Sequence, residues 1–525
     1  MRSMRFRSSA DIRTRARRGA ALLACAALAV ALSGAFAVAA ASTRPRVGGT
    51  LRVELRERVP SLDPRTLPAE AEIARAQEML DAMLFDRLLR LDDRGRPVPA
   101  LAEAWQSENG AKRWRFHLRP GVQFSDGTPL TSDVAAAALA PIVATMLGAN
   151  PHITAAGEWL VIESEEAMPE LPQRLAVGRA FIFRVAADGS LAGTGPFVLD
   201  EWISAARPQA TFVANTHCWA GRPFVDRVVV SLGVEASRIE ADLEFGLTDV
   251  GELAPAEMRR AAERGVRTWS SQPMDLFVVE FAPLDPAVQD ERLRAAIAAA
   301  IDRNAIANVV LQRQAVPAGA LLPQWISGYA FLFPVSAQSA AQPAAPTAPA
   351  AVKPAAPLVL VYDPQDAEAR AVAERVIVDL RAAGISVQAD AGAVAASAPQ
   401  ADLRLEHIPI EQPDPQAAFA LVFGAIPAPV AAIAPALAAA PSADAENPES
   451  LYADERAALE GFHLVPLVHE SENWGLGATL RDWMAPRWGE LHLEDAWLDL
   501  SPAANATGSS AAGAGAAPRT TDGTQ

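Results

Sequence analysis

Two runs decide how the chain reads: PALAEAW at residues 99–105 and WRFHLRPGVQFSDGTPLTSDV at residues 114–134. Trp114, Phe116 and Leu118 alternate with polar residues, as a half-buried strand requires. Pro120 and Gly121 then turn the chain, and Val122 and Phe124 resume the alternation. Asp126 and Gly127 supply tight-turn chemistry, and Thr131 stands where a helix N-cap is wanted. The stretch therefore predicts a hairpin followed by a capped helix, with Trp105 and Trp114 as core anchors.

Outward from this block the periodicity keeps switching. Residues 50–55 alternate like a strand. From Pro68 onward, Ile73, Gln77, Leu80, Leu84 and Leu88 recur at helical spacing. Residues 277–281 read as a buried strand, and Leu293, Ile297, Ile301, Ile306 and Val310 mark a helical stretch after it. Residues 358–362, a helix over 366–383 closed by Gly384, and residues 385–389 form a strand, helix, strand unit. Helices and strands mixed along the whole chain predict an α/β fold.

The 525 residues carry 46 basic and 62 acidic side chains, a formal charge of −16, and half are apolar. An acidic surface excludes phosphate-backbone binding as the main activity. Two cysteines, Cys25 and Cys218, exclude a disulfide framework. At about 100–200 residues per domain the length predicts about two to four domains.

Seven arginines lie between Arg2 and Arg18, followed by an uncharged Ala-rich run over 19–41. That order is an export signal, residues 1–41, with Ala39, Ala40 and Ala41 as the cleavage pattern before Ser42. Lipidation at Cys25, after Leu22, Leu23 and Ala24, and an uncleaved anchor are the alternatives. The Ala/Pro-rich runs at 335–357 and 426–448 read as loops or linkers, and 501–525 as a disordered tail.

Catalytic patterns are absent: no GxxxxGK[ST], HExxH, GxSxG or complete GxGxxG occurs. His463 and His469 would share one face of a strand, yet without a third ligand an ordinary histidine pair is the simpler reading. Cys218 reads as a small buried hydrophobe. No metal, cofactor or catalytic residue is expected. Carboxylates are too abundant for any two to be chosen as an acid and base pair.

The two opening runs resemble the signature block of the family 5 extracellular solute-binding proteins, the receptors of ABC importers for oligopeptides, dipeptides, nickel complexes and some glycosides. Further matches follow in the family's order: GTGPF at 193–197; Asn215, Trp219, Gly221, Pro223 and Asp226; FGLTDVGEL at 245–253; DERLRAAIAAAIDR at 290–303; and VPLV at 465–468. The resemblance spans residues 48–499.

It implies a bilobal α/β periplasmic-binding-protein-like fold of the large class II type, with an extra subdomain in the first lobe. The first lobe would comprise residues 43–62, 188–269 and 474–500, the subdomain 63–187, and the second lobe 270–471. The implied function is a periplasmic receptor that traps a peptide-like or other small solute between the lobes and delivers it to an ABC permease in the inner membrane. Such a receptor is expected to be monomeric, non-enzymatic and without a nucleic-acid partner. The alternatives are a receptor-derived sensor or envelope interaction protein and, more distantly, an exported hydrolase.

In peptide-binding relatives an aspartate before an acid and proline pairs with the peptide amino group. Aligning HIPIEQPDP at 407–415 on that segment puts Glu411 at the aspartate and Ile408 at the aromatic wall, with Asp414 as the terminal acid. The turn after Asp63, with Thr66, Leu67, Ala69 and Glu70, matches a pocket-lining segment of relatives. Glu280 stands where relatives carry asparagine. These departures imply a diverged specificity.

Overall fold

The alternation at residues 50–55 becomes the strand Thr50–Glu54, which buries Leu51 and Val53. It pairs parallel with Arg227–Ser231 on one side and Val250–Glu252 on the other. These three strands centre a seven-stranded mixed sheet, extended by Gln209–Ala214 and Phe197–Ile203 at one edge and by Asn473–Leu476 and Arg267–Ser270 at the other. The chain is described here from a computed structural model, over residues 45–500 apart from 67, 69–70, 93, 148–150, 205–206, 283–284, 329–353, 355, 391–400, 411, 427–447, 485–487 and 489. Residues 1–41, nearly all of the two Ala/Pro-rich runs, and 501–525 lie outside the described residues.

A second, six-stranded sheet runs in the order Ala315–Pro317, Leu464–Glu470, Asp275–Phe281, Leu403–Ile408, Leu358–Val361 and Val387–Asp390. Its central strand, Asp275–Phe281, is buried along its whole length, as a continuous apolar run predicts. The strand, helix, strand unit forms as read: Leu358–Val361 and Val387–Asp390 pair parallel, joined by the helix Ala367–Ala382. Asp366 caps that helix by accepting from the Ala369 amide, and Gly384, at φ +80°, turns the chain out of it. Both sheets lie within the compact unit Gly48–Leu498.

Residues 99–163 build a separate four-stranded antiparallel sheet in the order Ala102–Glu108, Arg113–Leu118, Trp159–Glu163, His152–Ala156. The expected hairpin takes a different form. Arg113–Leu118 has a partner on each edge, so Val122 and Phe124 cannot add to it. They close a small loop of their own, held by one bridge between Gln123 and Pro129. The following helix, Ser132–Leu147, is capped by the Thr131 hydroxyl.

Two helices end earlier than their apolar periodicity predicts. The helix expected to continue to Leu88 ends at Leu84, because the Leu84 carbonyl accepts from the Gly195 amide and Leu88 instead enters the core of the four-stranded sheet. The stretch from Leu293 to Val310 breaks at Ile301, where Asp302 caps a new turn at Ala305.

Candidate functional site

The chain crosses between the seven-stranded and six-stranded sheets at residues 271–274 and 471–472. The two crossings are tied together: the Ser271 amide donates to the Glu472 carbonyl and the Glu472 amide to the Ser271 hydroxyl, each at 2.9 Å. Beside them opens a cleft of about 700 Å³, walled by strand ends from both sheets and by the helices Ala71–Leu84 and Ala367–Ala382. A cavity of that size between sheets suits a small solute.

Ten carboxylates line the cleft against two arginines and one histidine. Glu57 and Glu252 come from the seven-stranded sheet, Glu72 from the helix beside it, and Asp275, Glu406 and Glu470 from the six-stranded sheet. Asp363, Asp366 and Glu368 come from the start of the helix Ala367–Ala382, and Glu472 from the second crossing.

The cleft's own cations are all engaged. Arg75 reaches Asp275 at 2.8 Å, Glu472 at 3.1 Å and Glu72 at 3.4 Å. Arg56 holds Glu368 at 2.7 Å, while its amide donates to Glu252. The His407 ring stacks on Phe277, with centroids 3.9 Å apart, and its Nδ1 lies 2.6 Å from Asp366. Burial alone would lower the imidazole's pKa, but Asp366, Glu72 and Glu470 outweigh it and hold His407 up at about 10. Burial would correspondingly raise Asp366, yet His407 pulls it down to about 2. The pair is an imidazolium carboxylate.

The remaining acids are crowded. Burial, reinforced by Glu252 and Glu72, pushes Glu57 up to about 7. Burial and Glu280 push Glu406 up to about 8. Glu472 also rises to about 7, chiefly through burial, although Arg75 opposes the shift. Glu470 is raised well above the usual carboxylate range by burial. Carboxylates held this close favour a cation that relieves their repulsion. Glu72, Asp275 and His407 present ligand atoms within 4.8 Å of one another, but His407 would have to lose its proton before it could ligate a metal ion.

The sequence matches the family described as bacterial extracellular solute-binding proteins, family 5 middle, over residues 96–426. The chain belongs to that family. Among similar proteins, the uncharacterized Bacillus subtilis protein YhjP is 32% identical over 185 residues, 33% of this chain and 30% of that one. The periplasmic murein peptide-binding protein MppA of Escherichia coli is 24% identical over 345 residues, 58% of this chain and 63% of it. These alignments thus span less than two thirds of either relative's length. NikA from Brucella suis, solved with Fe(III)-EDTA, shares the fold at a TM-score of 0.70 and 18% identity, covering 86% of this chain and 100% of that one.

Within this family 5 fold, the residues singled out by sequence fall away from the acidic cleft or outside the described residues. Glu411, Leu67, Ala69 and Glu70 are not among the described residues. Asp414 caps the helix Pro415–Ala425, its carboxylate accepting from the Ala417 amide at 2.8 Å. The Thr66 carbonyl accepts from Gln77 and Arg179. Their neighbours Pro64, Arg65 and Gln412 line a second, more apolar cavity of about 1150 Å³.

The other sequence candidates resolve into structural roles. His469 is buried and hydrogen-bonded to the Leu321 carbonyl, with its pKa lowered to about 4 by burial. Cys218 is half-buried, its thiol pushed up to about 11 by burial, which leaves it a poor nucleophile. The cleft's acids escaped the sequence reading. The available signal was their position just beyond strand ends, as in VELRE at 53–57 and HESEN at 469–473.

Proposed function

We propose that this protein is the exported solute receptor of an ABC importer, capturing a small cationic solute in the acidic cleft and presenting it to the permease without chemical change. The observation that carries this reading is the excess of carboxylates over cations in a cleft set between two sheets that are joined by two short crossings. Such a cleft focuses negative potential, and closure around a cation would strengthen each contact by excluding water. A Sinorhizobium meliloti protein of the same fold, at a TM-score of 0.63, is an ABC transporter substrate-binding protein.

In this reading residues 43–62, 188–269 and 474–500 form the first lobe, 63–187 its extra subdomain and 270–471 the second lobe. The leader over 1–41 is removed after Ala41 and the mature receptor works as a periplasmic monomer, with no nucleic acid as partner. Thr66 and Asp414 lie near Arg65 and Gln412, which line the larger cavity, while Leu67, Ala69, Glu70 and Glu411 stay candidate solute contacts on the family resemblance alone. Mass spectrometry of the solute that co-purifies with the native protein, followed by uptake of that solute in a strain lacking the gene, tests the proposal. Undiminished uptake would refute it.

A further inference from the structure

Two carboxylates face the cleft from opposite sheets without a hydrogen-bonded cation among the described residues. Glu57 follows the strand Thr50–Glu54 and, among the described residues, makes no side-chain ion pair or hydrogen bond. Glu470 ends the strand Leu464–Glu470, is 5% exposed, and its Oε2 accepts no hydrogen bond. Its nearest cation is His407, 4.0 Å away and already paired with Asp366. A buried carboxylate oxygen with no donor is costly unless a ligand supplies one.

The same cleft carries apolar side chains, Leu55, Ile73 and Met79, suited to a methylene chain. Its charged side chains are already paired, which leaves neutral donors such as the Trp474 indole for a solute's own carboxylate. Arg56, Arg75 and His407 each pair with acids of the protein, so an anionic group would have to compete with a carboxylate for its cation.

We infer that the cleft takes an aliphatic organic dication without a carboxylate, of the diamine or guanidinoalkylamine class, with one cationic end on Glu470 and the other on Glu57. This rests on the receptor reading above and narrows it. Because the two acids belong to different sheets, a dication would bridge them and hold the cleft shut, whereas a monocation would satisfy one side only.

Calorimetry on the mature protein with putrescine, cadaverine and agmatine, against n-butylamine and a lysine-containing dipeptide, tests the inference. The dications should bind at least ~10-fold more tightly than butylamine, the value of one further charged hydrogen bond. Glu57→Gln should weaken putrescine ~10-fold and reduce the preference for putrescine over butylamine. Glu470→Gln should weaken it as much, with thermal unfolding checking that the variant folds. Butylamine binding as tightly as putrescine, or Glu57→Gln binding putrescine like the wild type, would overturn the inference. Capture of the dipeptide or of a nickel complex with the dications excluded would overturn it while leaving the receptor reading intact. If neither these ligands nor the co-purified solute compacts the protein in small-angle scattering, both readings fall.

Discussion

The Arg56 guanidinium holds the Glu368 carboxylate at 2.7 Å, joining the loop after the first strand of the seven-stranded sheet to the first turn of the helix packed on the six-stranded sheet. The two side chains are only 22% and 10% exposed, so the pair is worth more than a solvated surface contact. It is a direct tie across the cleft. Glu368→Gln keeps the shape and leaves Arg56 without its anion, and should cost about 1–3 kcal/mol of stability in urea unfolding. It should also raise the radius of gyration of the ligand-free protein in scattering. An unchanged radius would mean that the pair does not hold the sheets together.

Titration of the buried acids sets a pH dependence whose sign is definite. Glu57, Glu472, Asp81 and Glu455 are raised from 4.5 or 3.8 to about 7 and Glu406 to about 8, chiefly by burial. Folded groups with raised pKa values hold more protons than the unfolded chain, so their contribution is present at low pH and lost as pH rises through those values. His407, raised to about 10, acts in the same direction above pH 6.5. His469, lowered to about 4, opposes only below 6.5. The ligand-free protein should therefore melt at a lower temperature at pH 8 than at pH 6.5, while affinity for an organic cation should rise over the same interval. A melting temperature that climbs towards pH 8 would contradict this account.

The fold was largely legible because burial repeats with fixed periods. Leu51 and Val53 announced their strand by alternation, and Asp366 with Gly384 bracketed a helix by capping chemistry. What misled was edge occupancy: nothing in VQF at 122–124 says that Arg113–Leu118 already has two partners. The cleft was illegible for a different reason. Glu57, Glu72, Asp275, His407 and Glu470 are far apart in sequence and meet only where the two sheets face each other, and in a chain with 62 acids none stands out by type.

Gly193 and Gly195 sit against the end of the helix Ala71–Leu84. A Cβ on Gly193 would lie 2.0 Å from the Leu84 carbonyl oxygen, and one on Gly195 2.6 Å from the Leu84 carbonyl carbon. Both obstacles are backbone, and the Gly195 amide also donates to Leu84 at 3.0 Å. Gly195→Ala must therefore displace the helix end or lose that bond. The expected cost is about 2–3 kcal/mol, read as a lower urea midpoint. Wild-type stability in this variant would show that the helix end can shift freely.

Asp86 and Trp219 supply a test in the same region. The Asp86 carboxylate accepts from the Trp219 indole and from the Thr194 hydroxyl, each at 2.8 Å, and burial raises its pKa. Trp219→Phe keeps most of the ring but removes one of two donors to a half-buried acid. Stability should fall by about 1–3 kcal/mol at neutral pH and by less at acidic pH, where a protonated Asp86 no longer needs the donor. An equal loss at both pH values would assign the effect to packing alone.

Asp414 and Glu411 are three residues apart, and their substitutions should separate by readout. The Asp414 carboxylate is engaged by the Ala417 amide at the start of the helix Pro415–Ala425. Asp414→Ala should cost about 1 kcal/mol of stability, the usual value of an N-cap, and leave the affinity for a cation unchanged. Glu411→Gln removes a charge from the segment whose neighbour Gln412 lines the larger cavity. If that segment borders the route of a cationic solute, the change should slow association and make capture less sensitive to salt, as loss of a steering charge does, with the melting temperature held. Stopped-flow association at two ionic strengths measures this. A Glu411→Gln variant with wild-type association and wild-type salt dependence would remove that residue from the solute's path and leave recognition to the acidic cleft alone.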